Sequence, residues 1–450
     1  MRVLWLMIII VLANACKDVT ELPVPTGINS TEEVFSSDQK ATGVLTGIYL
    51  SMNAGGIIVG KESMSVTGVL LADESELLSA DEHYQDAYHN ELSAGYMPAW
   101  GELYRYIFSA NGALEGLKNA PQITPAIRRQ LLGEAFFMRA FCYFYLVNMF
   151  GDVPLVLTTD AQINKNASRT PSTIVYGQIL SDLDSARQLL WAEYPDGATT
   201  KTTTDRVRPV RFAAMALQAR VYLYLHQFRE AIEAADTVIG HRELYELTSL
   251  KDVFLKNSRE AIWQLQPVNV NYSLDGYTFM KDKPVCISQY LLEKLDARDK
   301  RRTSWLLKDG SVCYPCKYRY NNPGKDTLEY QMMFRLGELY LIRAEASLEL
   351  GDLTNAVAYL NVIRTRAGLP DIKDISVSAL MDSIQVERQR ELFAEWGHRW
   401  FDLIRTGRIN DVMDKVTAEK GGYWKPWKAL FPLPEYDLNT DKNLTQNPGY

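Results

Sequence analysis

The stretch Val386-Glu-Arg-Gln-Arg-Glu-Leu-Phe-Ala-Glu-Trp-Gly-His-Arg-Trp-Phe-Asp-Leu-Ile-Arg-Thr-Gly407 is dense in charge yet threaded with large apolar side chains. As one helix running through Gly397, it places Glu387, Glu391, Glu395, Arg399 and Asp402 on one face. Val386, Leu392, Phe393, Trp396, Trp400, Leu403 and Ile404 fall on the opposite face. A helix so rich in rings must dock on a core, and its charges then lie against protein and need partners. Arg388, Arg399 and Arg405 are expected to pair with Glu391, Glu395 and Asp402, or with the charges of the preceding segment around Arg335, Glu338 and Glu345. The ladder therefore reads as structural rather than catalytic.

Working outward, Val210 to Ile239 and Met333 to Arg366 each read as a helical hairpin, and the two align. Ala219, Leu225, Phe228 and Ala231 correspond to Ala344, Leu350, Leu353 and Ala356, with turns at His226-Gln227 and Gly351-Asp352. That small-large alternation is tetratricopeptide-like, a unit that buries its faces by stacking on neighbours. Arg128 to Met149 and Pro171 to Glu193 read as two further helices, and Ala261 to Leu265 as a short strand. The fold class is mostly α, a scaffold of tetratricopeptide-like hairpins. Residues 52–99 and 266–328 are irregular, rich in Tyr, Asn, Gly and Asp, and are expected to emerge on one face as the ligand surface. No long linker interrupts the chain, so one compact body is expected.

The chain has 450 residues and a net charge of -7, which argues against nucleic acid as the main partner because phosphate binding needs a basic face. Arg2, the apolar run Val3 to Leu12 and the small residues of Ala13-Asn-Ala-Cys16 read as a signal peptide. Cys313-Tyr-Pro-Cys316 has C-x-x-C spacing, with Cys286 upstream in the same segment. In an exported chain a structural disulfide is favoured there over unpaired thiols or a functional site.

Other chemistry is weak. Gly55-Gly-Ile-Ile-Val-Gly60-Lys61 has phosphate-loop spacing, but Glu62 stands where a hydroxyl is needed, so a flexible surface loop is expected. The five histidines show no metal spacing. Asp73, Glu74, Glu76, Asp81, Glu82 and Asp86 read as a solvated acidic loop with some capacity for ligand hydrogen bonds. No catalytic residue, metal or cofactor is called. What remains is loop aromatics outside any helical period: Tyr84, Tyr96, Tyr272, Tyr277 and Trp305, with Trp100 at the edge of the first insertion. Amphipathic rings suit exposed binding surfaces, and sugar C–H faces stack on them. Asp73 and Asn90 are the candidate hydroxyl partners.

Glu387, Arg388, Glu391, Leu392, Glu395, Asp402, Leu403 and Arg405, with Arg399 one place late, resemble the E-R-x-x-E-L-x-x-E-x-x-R-x-x-D-L-x-R signature of the SusD/RagB family. Arg335 to Ala346, Leu360 to Leu369, Leu430-Phe-Pro-Leu-Pro434, Gln446-Asn-Pro-Gly-Tyr450 and, earlier, Trp100-x-x-x-Tyr104-x-x-Ile107-x-x-x-Asn111 follow the same family order. The resemblance implies a lipoprotein signal over 1–15, acylation of Cys16, an N-terminal region over 16–260 and a C-terminal region over 261–450. It implies a lipid-anchored protein on the outer membrane surface of a Bacteroidetes-type bacterium, not an enzyme. Such a protein captures a glycan and hands it to a SusC-like TonB-dependent transporter. A peptide cargo, as in RagB-like uptake, is the alternative, and a surface glycosidase a more distant one.

Overall fold

The computed structural model describes residues 31–319 and 326–450; Cys16 and the signal segment lie outside them. Helices Pro98–Lys118, Pro125–Phe150, Ser172–Leu189, Arg211–Tyr224, Phe228–Gly240, Leu336–Glu349, Leu353–Arg366 and Val377–Leu392 stack each on the next. This is the tetratricopeptide-like array expected from the hairpin alignment. His226 takes φ 57° and Gly351 φ 80°, so both hairpins turn where the sequence places the turns. Asp352 caps the helix after the second turn, accepting from Asn355 N at 3.1 Å.

One apolar core runs through the array, including Phe137, Phe141, Trp263, Phe334, Trp396 and Trp400. A second cluster, around Leu341, Leu360, Leu380 and Ile384, fills the space between the last three helices of the array. The strand Ala261–Leu265 pairs antiparallel with Gln331–Arg335, so Met333 to Arg335 are strand rather than the start of the second hairpin. Ser75–Leu77 pairs with Val285–Ile287, which ties the first insertion to the second.

The C-terminal signature departs from a single helix. Val377–Leu392 stops, and a new helix starts at His398. Between them Ala394, Trp396 and Gly397 take φ 54°, 51° and 66°. Gly397 suits the positive φ, and the close approach requires glycine on the facing helix: a Cβ on Gly68 would lie 2.4 Å from the Gly397 Cα. The break turns the charges in different directions. Glu391 accepts from Arg301 Nη1 at 2.9 Å, Arg335 Nη1 at 2.7 Å and Arg366. Glu395 takes Arg335 and Lys317. Asp402 takes Arg388 and Arg405, and Arg405 also takes Glu345. Burial alone would raise Glu391, but Arg366, Arg335 and Arg301 outweigh it and hold the carboxyl well below the usual range.

The expected disulfide is absent, as Cys142, Cys286, Cys313 and Cys316 are all free thiols. Cys313 lies in the strand Val312–Pro315 and Cys316 directly follows it. Three extended steps separate their Cα atoms by roughly 10 Å, beyond the ~7 Å a disulfide can bridge. Burial pushes the Cys316 thiol up to about 11. Among the described residues no helix is long and apolar enough to cross a membrane.

Candidate functional site

The first insertion folds inward more than its composition suggests. Ile57, Ile58 and Val59, inside the glycine-rich stretch, are buried, which corrects the expectation of a flexible surface loop. Ile57 N donates to Glu102 Oε2 at 2.9 Å, and Gly60 N donates to Asp275 Oδ1 at 2.7 Å. The latter bond and the Lys61–Asp282 ion pair at 3.6 Å bring the second insertion against the first. That second insertion carries a π-helical turn at Thr278–Asp282, a rare geometry that often marks functional segments.

Within the first insertion, with Lys61 on its lining, lies a cavity of about 80 Å³ also lined by Ile57, Leu70, Tyr84, Tyr96, Met97 and Phe431. It is too small to enclose a sugar ring, since ligand pockets run to roughly 300–1,000 Å³. What the insertion offers is an open platform. Tyr96, 39 % exposed, stacks on the exposed ring of His83 with centroids 3.8 Å apart and planes 15° apart. The Tyr96 hydroxyl donates to Glu62, and that bond, with burial, pushes it up to about 12. Tyr84 donates to Lys61 O at 3.1 Å, and burial is the largest influence raising its hydroxyl. Tyr272 and Tyr277, both half-buried, stack on each other at 5.1 Å in the second insertion. Of the sequence candidates, Tyr84 and Tyr96 share this cavity, and the Tyr272–Tyr277 pair sits in the segment docked beside it.

The other four candidates are interior. Asp73, 5 % exposed, accepts from Arg399 Nε and Nη2 at 2.8 and 2.7 Å and from Gln389 at 3.0 Å. Burial would raise it, yet Arg399 wins and holds it below the usual carboxylate range. Glu74 beside it is also buried, and burial followed by the charge of Asp73 pushes it up to about 8. The acidic loop is therefore solvated only from Glu76 onward. Asn90, 2 % exposed, donates to Leu71 O at 2.9 Å and accepts from Thr417 Oγ1 at 2.8 Å. Trp100 packs edge-on to Phe150 at 5.0 Å. Trp305, 1 % exposed, donates to Leu250 O at 2.8 Å and lies under the Lys317 ammonium. With their polar atoms satisfied and no exposed face, these four cannot meet a ligand at the surface. His83 and Phe431 were not among the site candidates: Phe431 lies in the Leu430-Phe-Pro-Leu-Pro434 motif, but it reaches the cavity from more than 300 positions away.

Two family profiles match the chain. One, described as starch-binding associating with outer membrane, covers residues 25–223; the other, described as the SusD family, covers 293–450. The chain is similar to SusD-like protein P2 of Formosa agariphila, with 27 % identity over 97 % of each chain. The structure superimposes on a SusD superfamily protein of Bacteroides vulgatus with a TM-score of 0.79 and 18 % identity, covering 92 % of this chain and all of the other. It superimposes on a laminarin-binding SusD-like protein with a TM-score of 0.74 and 22 % identity, covering 91 % and 99 %. At these identities the two superpositions speak to the fold alone. Profiles that match both halves in sequence order, together with a full-length relative and the stacked-hairpin fold, show that the chain belongs to the SusD/RagB family.

Proposed function

We propose that this protein captures oligosaccharide at the cell surface and delivers it to a SusC-like TonB-dependent transporter, held to the outer membrane by a lipid on Cys16. The observation that carries the reading is the exposed Tyr96 ring braced by His83 in the first insertion. The family profile described as starch-binding, matched over residues 25–223, supports a glycan as the cargo. Tyr84 and the Tyr272–Tyr277 pair extend the apolar surface, and Glu62 and Lys61 supply polar groups at its edge. No covalent step is involved. The protein would close over the transporter when ligand contacts both, a population shift set by the ligand's preference for the closed state.

Tyr96→Ala is expected to weaken binding of the cognate oligosaccharide by roughly 1–3 kcal/mol, by analogy with the loss of one base-stacking ring. The melting temperature should hardly change, because the ring is exposed. Calorimetry against a panel of glucans is the measurement; wild-type affinity in the variant would remove the platform from the reading. Cys16→Ala is expected to release a folded protein from the membrane fraction, checked by metabolic fatty-acid labelling. Equal labelling of variant and wild type would rule out Cys16 as the anchor.

A further inference from the structure

A larger cavity, of about 820 Å³, opens on the other side of the Leu430–Phe431 segment. Leu430 takes φ −101° and ψ 153°, so consecutive side chains point to opposite sides of this extended chain. Leu430 lines the larger cavity and Phe431 the smaller one. The larger cavity sits at the C-terminal end of Pro125–Phe150 and the start of Ser172–Leu189, with residues 445–448 along its rim. Its volume falls within the range of small-molecule sites.

We propose that this cavity is a second binding site, taking a short neutral oligosaccharide independently of the Tyr84–Tyr96 surface. Tyr224 is 8 % exposed and lines the cavity, yet its hydroxyl has no hydrogen-bond partner among the described residues. The hydroxyl is open to the cavity and not sealed in the core, so a ligand oxygen can take up its donor in place of water. Burial also raises this hydroxyl, so it stays a donor at any physiological pH. Tyr176 lines the same wall, and its ring is fixed by donation to Asn148 Oδ1 at 2.9 Å. A ring whose orientation is already locked loses little entropy when a sugar stacks on it.

The charges around the cavity select a neutral ligand. Arg169 spends its donors on Asp152 O, Thr445 O, Phe150 O and Asn447 Oδ1, at 2.8, 2.8, 3.2 and 2.5 Å. Arg405 is tied to Asp402 and Glu345. The Asp152 carboxylate, which accepts from Ser172 N at 2.8 Å, offsets the remaining positive charge. Neither an anion nor a cation would find an uncompensated partner here.

The test uses the full chain and saturation-transfer NMR with maltotriose and laminaritriose. In a Tyr96→Ala background, which disables the first surface, at least one trisaccharide should still receive transfer. Adding Tyr176→Ala should weaken that binding roughly tenfold by removing the stacking ring. Adding Tyr224→Phe, which keeps the ring and the packing, should weaken it about threefold or more through the lost hydroxyl. If Tyr176→Ala disturbs the melting transition, Tyr224→Phe decides. No transfer in the Tyr96→Ala protein, or undiminished binding after both added changes, overturns the proposal. Transfer that is unaffected by Tyr96→Ala but lost with Tyr224→Phe sustains it while removing the first surface.

Discussion

Replacing Asp402 with alanine is expected to destabilise the protein by roughly 3–5 kcal/mol, seen as an earlier transition in urea or heat. Arg388 is 1 % exposed, and this carboxylate is its close partner: Nε donates to Asp402 Oδ2 at 2.8 Å, while Glu345 lies 3.8 Å away. Its Nη1 and Nη2 are buried with no partner among the described residues. Asp402 Oδ1 also accepts from Arg405 Nε at 2.7 Å. Burial would raise the Asp402 carboxyl, but Arg388 and then Arg405 hold it well below the usual range. Removing it leaves two cations in a dry interior with one carboxylate fewer, and Arg388 and Arg405 must then share Glu345. Asp402→Asn keeps the shape and an acceptor oxygen, so its loss should be smaller. If the alanine variant unfolded with wild type while ligand binding vanished, Asp402 would belong to a binding site and not to the frame.

Two buried groups are expected to cost stability as pH falls, in separate ranges, the first of them His398. This residue is 5 % exposed, and burial lowers it from 6.5 to about 4, against the opposing pull of Glu338. The folded state therefore binds the proton more weakly than the unfolded chain. The His398 contribution is complete above pH 6.5 and falls as pH drops toward 4, by about 3 kcal/mol over that interval, while Glu74, held at about 8 in the fold, works in the opposite direction. The second stage belongs to carboxylates such as Glu338. Burial would raise it, but Arg220 outweighs burial and holds it at about 2, so its contribution fades from pH 4.5 downward. His398→Gln should flatten the first stage and leave the second. Urea midpoints at pH 7, 5.5 and 4.5 for both proteins provide the check. Parallel losses would assign the first stage to another group.

The scaffold was legible because a helix writes itself locally. Apolar residues recur at helical spacing, the turns fall at His226-Gln227 and Gly351-Asp352, and the Ala261–Leu265 strand is a short, mostly apolar run. The charges of the C-terminal signature read as structural, and Arg405 pairs with both Asp402 and Glu345. Three-dimensional packing decided the rest. Arg399 reaches back across the fold to Asp73, which turned a candidate hydroxyl partner into an interior ion pair. The same separation hid Thr417 from Asn90, and Phe431 from Tyr96. The helix break at Ala394 to Gly397 brings Gly397 against Gly68, which lies more than 300 positions earlier.

Sequence by itself therefore determined the family, the mostly helical class and which segments are insertions, since these rest on periodicity, turn residues and motif order. Only the tertiary structure decided which insertion aromatics face solvent. Composition shows that a ring is outside a helix, but burial depends on neighbours supplied from elsewhere in the chain. Trp305 and Tyr96 look alike in sequence; one ends under Lys317 in the core, and the other ends at the surface on His83.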